Sequence, residues 1–204
     1  MLKKLLLSTL FVSTALFAMH DFELNLNEKD VDLRLGLDVG QFNESIEPES
    51  VLLQFRLMKG DEAHASLPYS QDTNWLYEGG FIIQNSTPFA PGLTLGMGVK
   101  LTYSPLKQDH KAIMALPIGV IGRYQLPIDG FIPLYVGAEV YYAPEVLSFK
   151  STQNLSQFQT SFDIELMERG QITTGYRWMN NTREDIGGTY HYNQSWYLGF
   201  RFLF

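Results

Sequence analysis

The sequence predicts an all-β fold, a transmembrane up-and-down antiparallel barrel with ten strands as the favoured number. Three observations support this prediction. Long segments alternate apolar and polar residues with a period of two, which is typical of strands. The connections between them alternate between long and short, as in membrane barrels. Aromatic residues make up 14% of the chain and charged residues only 18%, against about 25% charged residues in soluble domains.

The first residues are typical of a secretory signal. Lys3 and Lys4 precede the apolar segment Leu5 to Phe17, and Ala15 or Ala18 offers a small residue for cleavage. The alternative is an anchoring helix, but the apolar segment is shorter than the ~20 residues that span a bilayer. We therefore expect a signal peptide at 1–18, handled by the secretion translocon and cleaved, and one barrel domain at 19–204.

Composition excludes several classes of function. The chain has no cysteine, which excludes disulfides, thiolate metal sites and the lipid anchor of a lipoprotein. Removing Lys3 and Lys4 leaves 13 basic against 22 acidic residues, a net charge of −9. An acidic surface of this kind gives no electrostatic basis for binding nucleic acid. We predict neither a cofactor nor a metal site.

The last thirteen residues carry the clearest alternation. From Tyr192 to Phe204 the even positions are almost all apolar, and the odd positions are mostly polar or small. A strand of this length can cross a bilayer at a tilt. Its apolar face is predicted to be the signal that the barrel-assembly machinery reads, and comprises Trp196, Leu198, Phe200, Phe202 and Phe204.

Nine further segments alternate, some clearly and some with interruptions. With the last one they give ten candidate strands at about 22–27, 31–39, 50–58, 74–84, 92–104, 112–125, 132–142, 158–166, 170–179 and 192–204. Ten is an even number, as in closed bacterial barrels. A soluble β-sandwich also alternates, but its strands are typically five or six residues long. The charges in the middle of these strands also count against a sandwich.

The connections give an independent check. Those near 59–73, 105–111, 144–156 and 180–190 are long and polar, and those near 85–91, 126–130 and 168–170 are short. This alternation matches extracellular loops and periplasmic turns of a bacterial outer-membrane protein. Residues 40–49 break the pattern, since a tight turn is expected there. A barrel of eight strands with an additional N-terminal hairpin is therefore the alternative.

If the apolar faces meet lipid, the opposite faces line the lumen. Those faces carry acids and bases in nearly equal number, namely Glu23, Asp32, Arg34, Asp38, Arg56, Glu78, Lys100, Arg123, Glu139, Asp163, Glu165, Arg177 and Arg201. Charges in a narrow, poorly hydrated bore are expected to pair. We predict a largely plugged lumen in a protein of structural or surface-interaction type. The alternative is a small, porin-like channel for ions or solutes.

The predicted loops carry some residue types that occur in catalytic sites. His64-Ala65-Ser66 with Glu62 nearby has the residue types of a hydrolase triad, which would act on lipids or esters at the rim. His191 near Glu184 and Asp185 has the residue types of a metal site or of an acid protease. Such residues are common in solvated loops, and no phosphate-binding or zinc motif is present. We therefore predict that the protein is not an enzyme.

Aromatic residues lie near the ends of the predicted strands, where amphipathic rings prefer the membrane interface. Those near the extracellular ends are Trp75, Tyr77, Tyr103, Tyr142, Trp178, Tyr192 and Trp196, and those toward the periplasm are Phe131, Phe202 and Phe204. The expected partners are outer-membrane lipids and lipopolysaccharide, and we expect a monomer.

Four motifs resemble the YfaZ family of outer-membrane proteins. They are the Tyr-rich strand and Pro-containing loop from Tyr141 to Phe149, Gly175-Tyr176-Arg177-Trp178, the glycine-rich strand Leu93 to Lys100, and the end of the chain from Leu198 to Phe204. The N-terminal third departs from the family at 27–30 and 40–49. The resemblance implies an outer-membrane barrel and no established biochemical activity.

Overall fold

The computed structural model describes residues 20–28, 30–59, 75–105, 112–128, 132–150, 152–183 and 188–204. The predicted signal peptide at 1–18 lies outside these residues, as does Phe131. Within the described ranges, no helix is long and apolar enough to cross a membrane.

The described chain forms twelve strands and two short 3-10 helices, at Val39–Gln41 and Glu145–Leu147. The strands are β1 Asp21–Leu26, β2 Val31–Asp38, β3 Val51–Lys59, β4 Trp75–Ser86, β5 Leu93–Pro105, β6 Ala112–Ala115, β7 Ile118–Gln125, β8 Leu134–Ala143, β9 Ser148–Lys150, β10 Thr152–Met167, β11 Gly170–Arg183 and β12 Gly188–Leu203.

Ten of these strands close into an antiparallel barrel, in the circular order β1-β2-β3-β4-β5-β7-β8-β10-β11-β12. The barrel closes where β1 pairs with β12, from Asp21 opposite Leu203 to Leu26 opposite Leu198. The prediction of ten strands is confirmed. The alternative of eight strands with a separate hairpin is wrong, because β1 and β2 pair with each other and with β12 and β3 in one continuous wall.

The segment 112–125 was predicted as one strand, and the structure divides it at Leu116 and Pro117 into β6 and β7. Proline has no backbone N–H to donate, so it interrupts a strand at that point. The carbonyl of Pro117 still accepts from the N–H of Lys100 at 3.1 Å, and Leu116 donates to the carbonyl of Leu147 at 2.8 Å. β6 pairs with β5 on one side and with the short β9 on the other.

Three strands extend beyond their predicted bounds, at the end of the barrel that carries the long connections, here called the loop end. β10 begins at Thr152, β11 continues to Arg183, and β12 begins at Gly188. The predicted loop at 144–156 therefore contains β9 and the start of β10. Residues such as Ser156, Asn180 and Thr182 are polar on the outward face, so the apolar alternation stops before the strand does.

The opposite end, here called the terminal end, carries the first and last described residues and the short turns. His20 and Phe204 exchange backbone hydrogen bonds of 2.9 Å in both directions. Residues 40–49, which the turn pattern does not explain, form a compact connection that Asp38 organises. Its carboxylate accepts from the N–H of Gly40 at 2.9 Å and of Glu49 at 2.8 Å. In bacterial outer-membrane barrels the short turns lie at the periplasmic end.

The two faces of the wall have the reverse of the polarity found in soluble proteins. Outward side chains are apolar and exposed, as for Met97 at 63%, Val120 at 59% and Leu198 at 62%. Inward side chains are polar or charged, and Asp32 and Asp163 have no exposed surface. An apolar exterior and backbone groups paired around a closed wall are what a bilayer requires of a spanning protein.

Candidate functional site: the barrel interior

The interior at the loop end is lined by apolar side chains. This apolar layer comprises Met58, Leu76, Ile113, Ala115, Ala143, Leu155, Met179 and Tyr192, with Leu147 packed against it. All of these residues lie near the loop ends of their strands or in β6. β6 brings Ile113 to this layer, and the 3-10 helix Glu145–Leu147 brings Leu147. β6 and β9 continue the wall where β7 and β8 stop.

Below the apolar layer, three guanidinium groups surround the buried carboxylate of Asp32. Arg56 donates from Nε to Oδ1 at 2.7 Å and from Nη2 to Oδ2 at 3.0 Å. Arg177 donates from Nη1 to Oδ2, and Nε of Arg34 lies 3.5 Å from the same oxygen. These groups come from β2, β3 and β11, so one carboxylate joins strands on either side of the barrel seam.

Glu78 of β4 extends this central network. Its Oε2 lies 3.1 Å from Nη1 of Arg56 and 3.4 Å from Nζ of Lys100. Its Oε1 accepts from the hydroxyl of Thr102 at 2.8 Å and from Nε2 of Gln157 at 2.7 Å. Gln157 belongs to β10, on the far side of the bore from β4. Every oxygen of this buried carboxylate therefore has a donor, as a buried charge requires.

Arg34 reaches across the full width of the bore. Its Nη1 lies 3.1 Å from Oε1 of Glu139 on β8, which is five strands from β2 in either direction around the barrel. Its Nη2 donates to the amide oxygen of Gln159 on β10. Gln159 in turn donates to the hydroxyl of Tyr197 at 2.9 Å. This chain of contacts joins opposite walls at the middle of the barrel.

Asp30 lies in the turn between β1 and β2 and is 5% exposed. Its Oδ2 accepts from Asn193 at 2.6 Å and from Ser195 at 3.0 Å, and lies 3.4 Å from Nη2 of Arg177. Asn27 donates to the same oxygen at 3.0 Å. Burial by itself would raise the pKa of Asp30, but these hydrogen bonds and the charge of Arg177 outweigh burial and lower the pKa below its ordinary value.

A second network lies toward the terminal end. Arg201 donates from Nε to Glu23 at 2.9 Å, and its Nη1 lies 3.7 Å from Asp163. Nη2 of Arg123 lies 3.1 Å from Oδ2 of Asp163, and the hydroxyl of Thr173 donates to Oδ1 at 2.6 Å. The side chain of Arg123 is 32% exposed, against 2% for that of Arg177, so this network is the more hydrated of the two.

Two charges expected in the lumen network have other roles. Asp38 is buried, but its carboxylate organises the connection at 40–49, because it stands at the last position of β2. Glu165 accepts from the hydroxyl of Tyr135 at 2.8 Å, near the terminal end of β10. The other eleven side chains of the predicted site form the two networks described above: Glu23, Asp32, Arg34, Arg56, Glu78, Lys100, Arg123, Glu139, Asp163, Arg177 and Arg201.

Neutral side chains are integral to both networks and were not identified from the sequence. Gln157 and Gln159 lie on the inward face of β10, where their alternation with Phe158 and Thr160 could have revealed them. Tyr197 and Asn193 lie on the inward face of β12 in the same way. Asp30 precedes β2 and is not part of an alternating segment, so nothing in the sequence indicated that it belongs to the central network.

A cavity remaining within the central network is very small. It measures about 10 Å³ and is bounded by Arg56, Glu139, Tyr141 and Arg177, among others. A cavity of ~10–15 Å³ holds about one water molecule. Beside it, the ammonium of Lys100 lies 4.0 Å from the centroid of the Tyr141 ring, which is 2% exposed. Aromatic and charged side chains thus lie together around this cavity.

The residues considered for catalysis are only partly described. Glu62, His64, Ser66, Glu184 and Asp185 lie outside the described residues. His191 is exposed and lies 2.6 Å from the amide oxygen of Asn180, between Nδ1 and Oδ1. In the ranges that the structure describes, no three His, Asp or Glu side chains are grouped so that they could hold a metal ion.

Comparison with protein families matches residues 88–204 to the model described as YfaZ precursor. The chain belongs to the YfaZ family. The match covers strands β5 to β12 and includes the four motifs identified in the sequence. Together with the closed barrel and its apolar exterior, membership of this precursor family identifies the chain as a bacterial outer-membrane β-barrel.

Among solved structures, this YfaZ-family chain is similar to OmpT (in-vitro folded), an outer membrane protein of Vibrio cholerae. The two share 8% sequence identity with a TM-score of 0.34, and the match covers 90% of this chain and 64% of that one. The chain therefore spans less than two thirds of the length of that protein. A comparison with curated proteins finds no match.

Proposed function

We propose that this outer-membrane barrel is of structural or surface-interaction type, with an interior closed to ions and solutes. The contact between Arg34 and Glu139 carries the proposal, because it joins strands on opposite sides of the bore at 3.1 Å. A barrel of eight strands is filled by its own side chains, and ten strands leave little more room. A solute crossing at this depth would have to displace that contact.

The energetic argument rests on burial. The side chains of Asp32, Glu78 and Arg177 are at most 4% exposed, and each has charged partners within 4 Å. Separating such a pair leaves a charge in a poorly hydrated site, at a cost of about 3–5 kcal/mol. Opening the bore would break several of these contacts together, so the closed arrangement is strongly favoured.

The apolar layer adds a second barrier in series. It lies between the central network and the loop end, and Met58, Leu76 and Ile113 within it are at most 1% exposed. Hydrophobic constrictions block ions because water withdraws from them. An ion entering from outside the cell would first lose its hydration at this layer, and would then meet the paired charges of the central network.

Single-channel recording of the refolded mature protein in a planar bilayer tests the proposal. We expect no discrete openings, while a gel mobility that changes when the protein is heated verifies that it has folded. Reproducible openings whose ion selectivity changes in Arg123→Gln, Arg177→Gln or Glu139→Gln would establish the alternative, a small conducting channel. Selectivity is the informative measurement because only a lumen charge on the ion path alters it.

The proposal includes how the protein is assembled and what it contacts. The outward side chains of β12 are the expected signal for the barrel-assembly machinery, and they include Trp196 at 73% and Leu198 at 62% exposed. Each described strand of the barrel wall pairs on both sides within the chain, which favours a monomer. Surface interactions would use the loop end, where β10, β11 and β12 extend beyond the apolar band.

A further inference from the structure

The outward wall from β1 to β5 contains a groove about 500 Å³ in volume. Its floor is Gly79, where a Cβ atom would meet only Phe55 at 3.9 Å. Large apolar side chains border it, including Phe55, Leu57, Tyr77, Leu101 and Tyr103. The volume lies within the ~300–1,000 Å³ of ligand-binding clefts. The groove opens on the face of an outer-membrane protein that meets acyl chains.

Two lysines lie near this groove, at the loop end. Nζ of Lys59 lies 5.7 Å from the centroid of the Trp75 ring, and Nζ of Lys150 lies 5.2 Å from that of Tyr103. These rings are on the adjacent strands β4 and β5, and the rings of Tyr77 and Tyr103 are 6.4 Å apart. The two ammonium groups therefore stand over neighbouring strands.

The backbone at Lys150 is unusual. Its φ is +60°, in the left-handed region that residues other than glycine adopt infrequently. Lys150 ends β9, the short strand that continues the wall beyond β8. Strained residues concentrate at binding sites, where the surrounding structure maintains the conformation. The strain here coincides with a cation placed over an aromatic ring beside an apolar groove.

We propose that this surface binds one lipid of the outer leaflet, a phosphorylated and multiply acylated glycolipid. Its phosphates would lie between Lys59 and Lys150, and an acyl chain would occupy the groove above Gly79. Charge complementarity supports this occupant, because basic residues at a membrane interface select phosphorylated headgroups. The long loops place these lysines at the outer leaflet, and the aromatic rings of Trp75 and Tyr103 stand at the interfacial depth that such rings prefer.

Native mass spectrometry of the folded mature protein in detergent provides the test. The probes are purified bis-phosphorylated lipid A, the same lipid with its phosphates removed, and inorganic phosphate. We expect the Lys59→Gln/Lys150→Gln variant to bind phosphorylated lipid A about tenfold more weakly or worse. The same variant should bind the dephosphorylated lipid as the wild type does. The matched control Arg169→Gln removes an exposed cation at the terminal end and should leave both affinities unchanged.

The groove is tested separately with Gly79→Phe, which fills it. This variant should weaken binding of both lipids, whereas Gly122→Phe, on the outward face of β7, should not. If Gly79→Phe fails to fold, the lysine variant still decides the proposal. Equal binding of phosphorylated lipid A by the wild type and the lysine variant would overturn the proposal. Displacement of the lipid by inorganic phosphate, or dimers formed through the groove without lipid, would overturn it as well.

Discussion

Asp32 has three basic neighbours around one buried carboxylate, and the central network depends on that charge. We predict that Asp32→Asn lowers the free energy of unfolding by about 3–5 kcal/mol. The amide preserves the shape, but Arg34, Arg56 and Arg177 then lack the carboxylate that they approach within 3.5 Å. Urea unfolding of the protein from lipid vesicles, followed by tryptophan fluorescence, measures the change.

The matched control for Asp32→Asn is Glu168→Gln, which removes an acid from the exposed turn between β10 and β11. An exposed charge contributes little to stability, so this variant should change the free energy of unfolding by less than about 0.5 kcal/mol. A loss of equal size in both variants would mean that net charge, and not the local contacts of Asp32, controls stability.

Asp30 gives a pH dependence whose sign follows from its pKa. Because hydrogen bonds and Arg177 lower the pKa of this carboxyl in the folded state, the ionised form stabilises the fold. That contribution is fully present above the unfolded pKa of about 3.9 and is lost as the pH falls from there through the lower folded pKa. The stability difference between the wild type and Asp30→Asn should therefore be constant from pH 8 to pH 5 and shrink below pH 4.

Unfolding at a series of pH values measures this difference. Glu168→Gln again serves as the control, because its carboxyl is exposed on a turn. A wild-type advantage over Asp30→Asn that grew as the pH fell would contradict the prediction, since the carboxyl of Asp30 would then favour its protonated form in the folded protein.

At this scale the sequence predicted which charges point inward but not how they pair. Arg34 and Glu139 lie at the polar positions of their alternating strands, so alternation alone predicts that both side chains point inward. Their contact needs the stagger between β2 and β8, which long-range closure determines. Asp38 and Glu165 also lie at polar positions of alternating strands, but near the strand ends. The partners of Asp38 are in the connection at 40–49, and the partner of Glu165 is the hydroxyl of Tyr135.

Among the elements, β11 has a site where only glycine fits. A Cβ atom at Gly175 would lie 2.0 Å from the carbonyl oxygen of Thr160 and 2.5 Å from the hydroxyl of Tyr197. Because the first of these is backbone, Gly175→Ala must shift β10 against β11. We predict a loss of about 1–3 kcal/mol in the free energy of unfolding, measured by urea titration.

Gly122→Ala is the control for Gly175→Ala. The Cβ atom at Gly122 would lie 3.5 Å from a methyl group of Leu95, an ordinary van der Waals contact. This variant should leave the free energy of unfolding unchanged or raise it slightly, since alanine restricts the unfolded chain. Equal losses for both substitutions would show that strand propensity, and not the contact with Thr160, determines the cost.

The position of a strand could be predicted from the sequence where its two faces differ in polarity. β5 and β12 alternate along most of their length, and their predicted positions agree with the structure to within a few residues. The first residues of β10 do not alternate between polar and apolar. Above the apolar band, polar residues face outward as well as inward. The division between β6 and β7 depends on Pro117, a local signal that the overall alternation obscured.

We also expect the last strand to act during assembly. Phe204→Ala keeps the two backbone hydrogen bonds between residues 204 and 20 but removes a ring 5.9 Å from His20 and 6.4 Å from Phe202. We predict a severalfold lower amount of folded protein in cell membranes, measured by the fraction that migrates as the folded form without heating. Phe89→Ala, which removes an exposed ring from a turn at the same end, should leave that fraction unchanged.

For the whole molecule, closure converts a weak local pattern into a stable fold. Burying an inward polar face in the core of a soluble protein would cost free energy. An outward apolar face exposed to water would cause the protein to aggregate. Joining β1 to β12 removes the free edges and lets charges on distant strands neutralise one another. The reversed polarity and the paired interior therefore both depend on the pairing of β1 with β12.

A cysteine pair across the seam tests closure directly, since the chain has no cysteine of its own. Leu24 and Phe200 are opposite each other in β1 and β12. Directly opposed residues have Cα atoms ~4.5–5.5 Å apart, within the ~4.4–6.8 Å of disulfides. We predict that Leu24→Cys/Phe200→Cys forms an intramolecular disulfide in membranes, seen as a shift in non-reducing gels. Leu24→Cys/Val140→Cys, with the second cysteine on the exposed face of β8, should not. Equal cross-linking of both pairs, or of neither, would contradict a ten-strand barrel closed by β1, because only that closure brings residues 24 and 200 together.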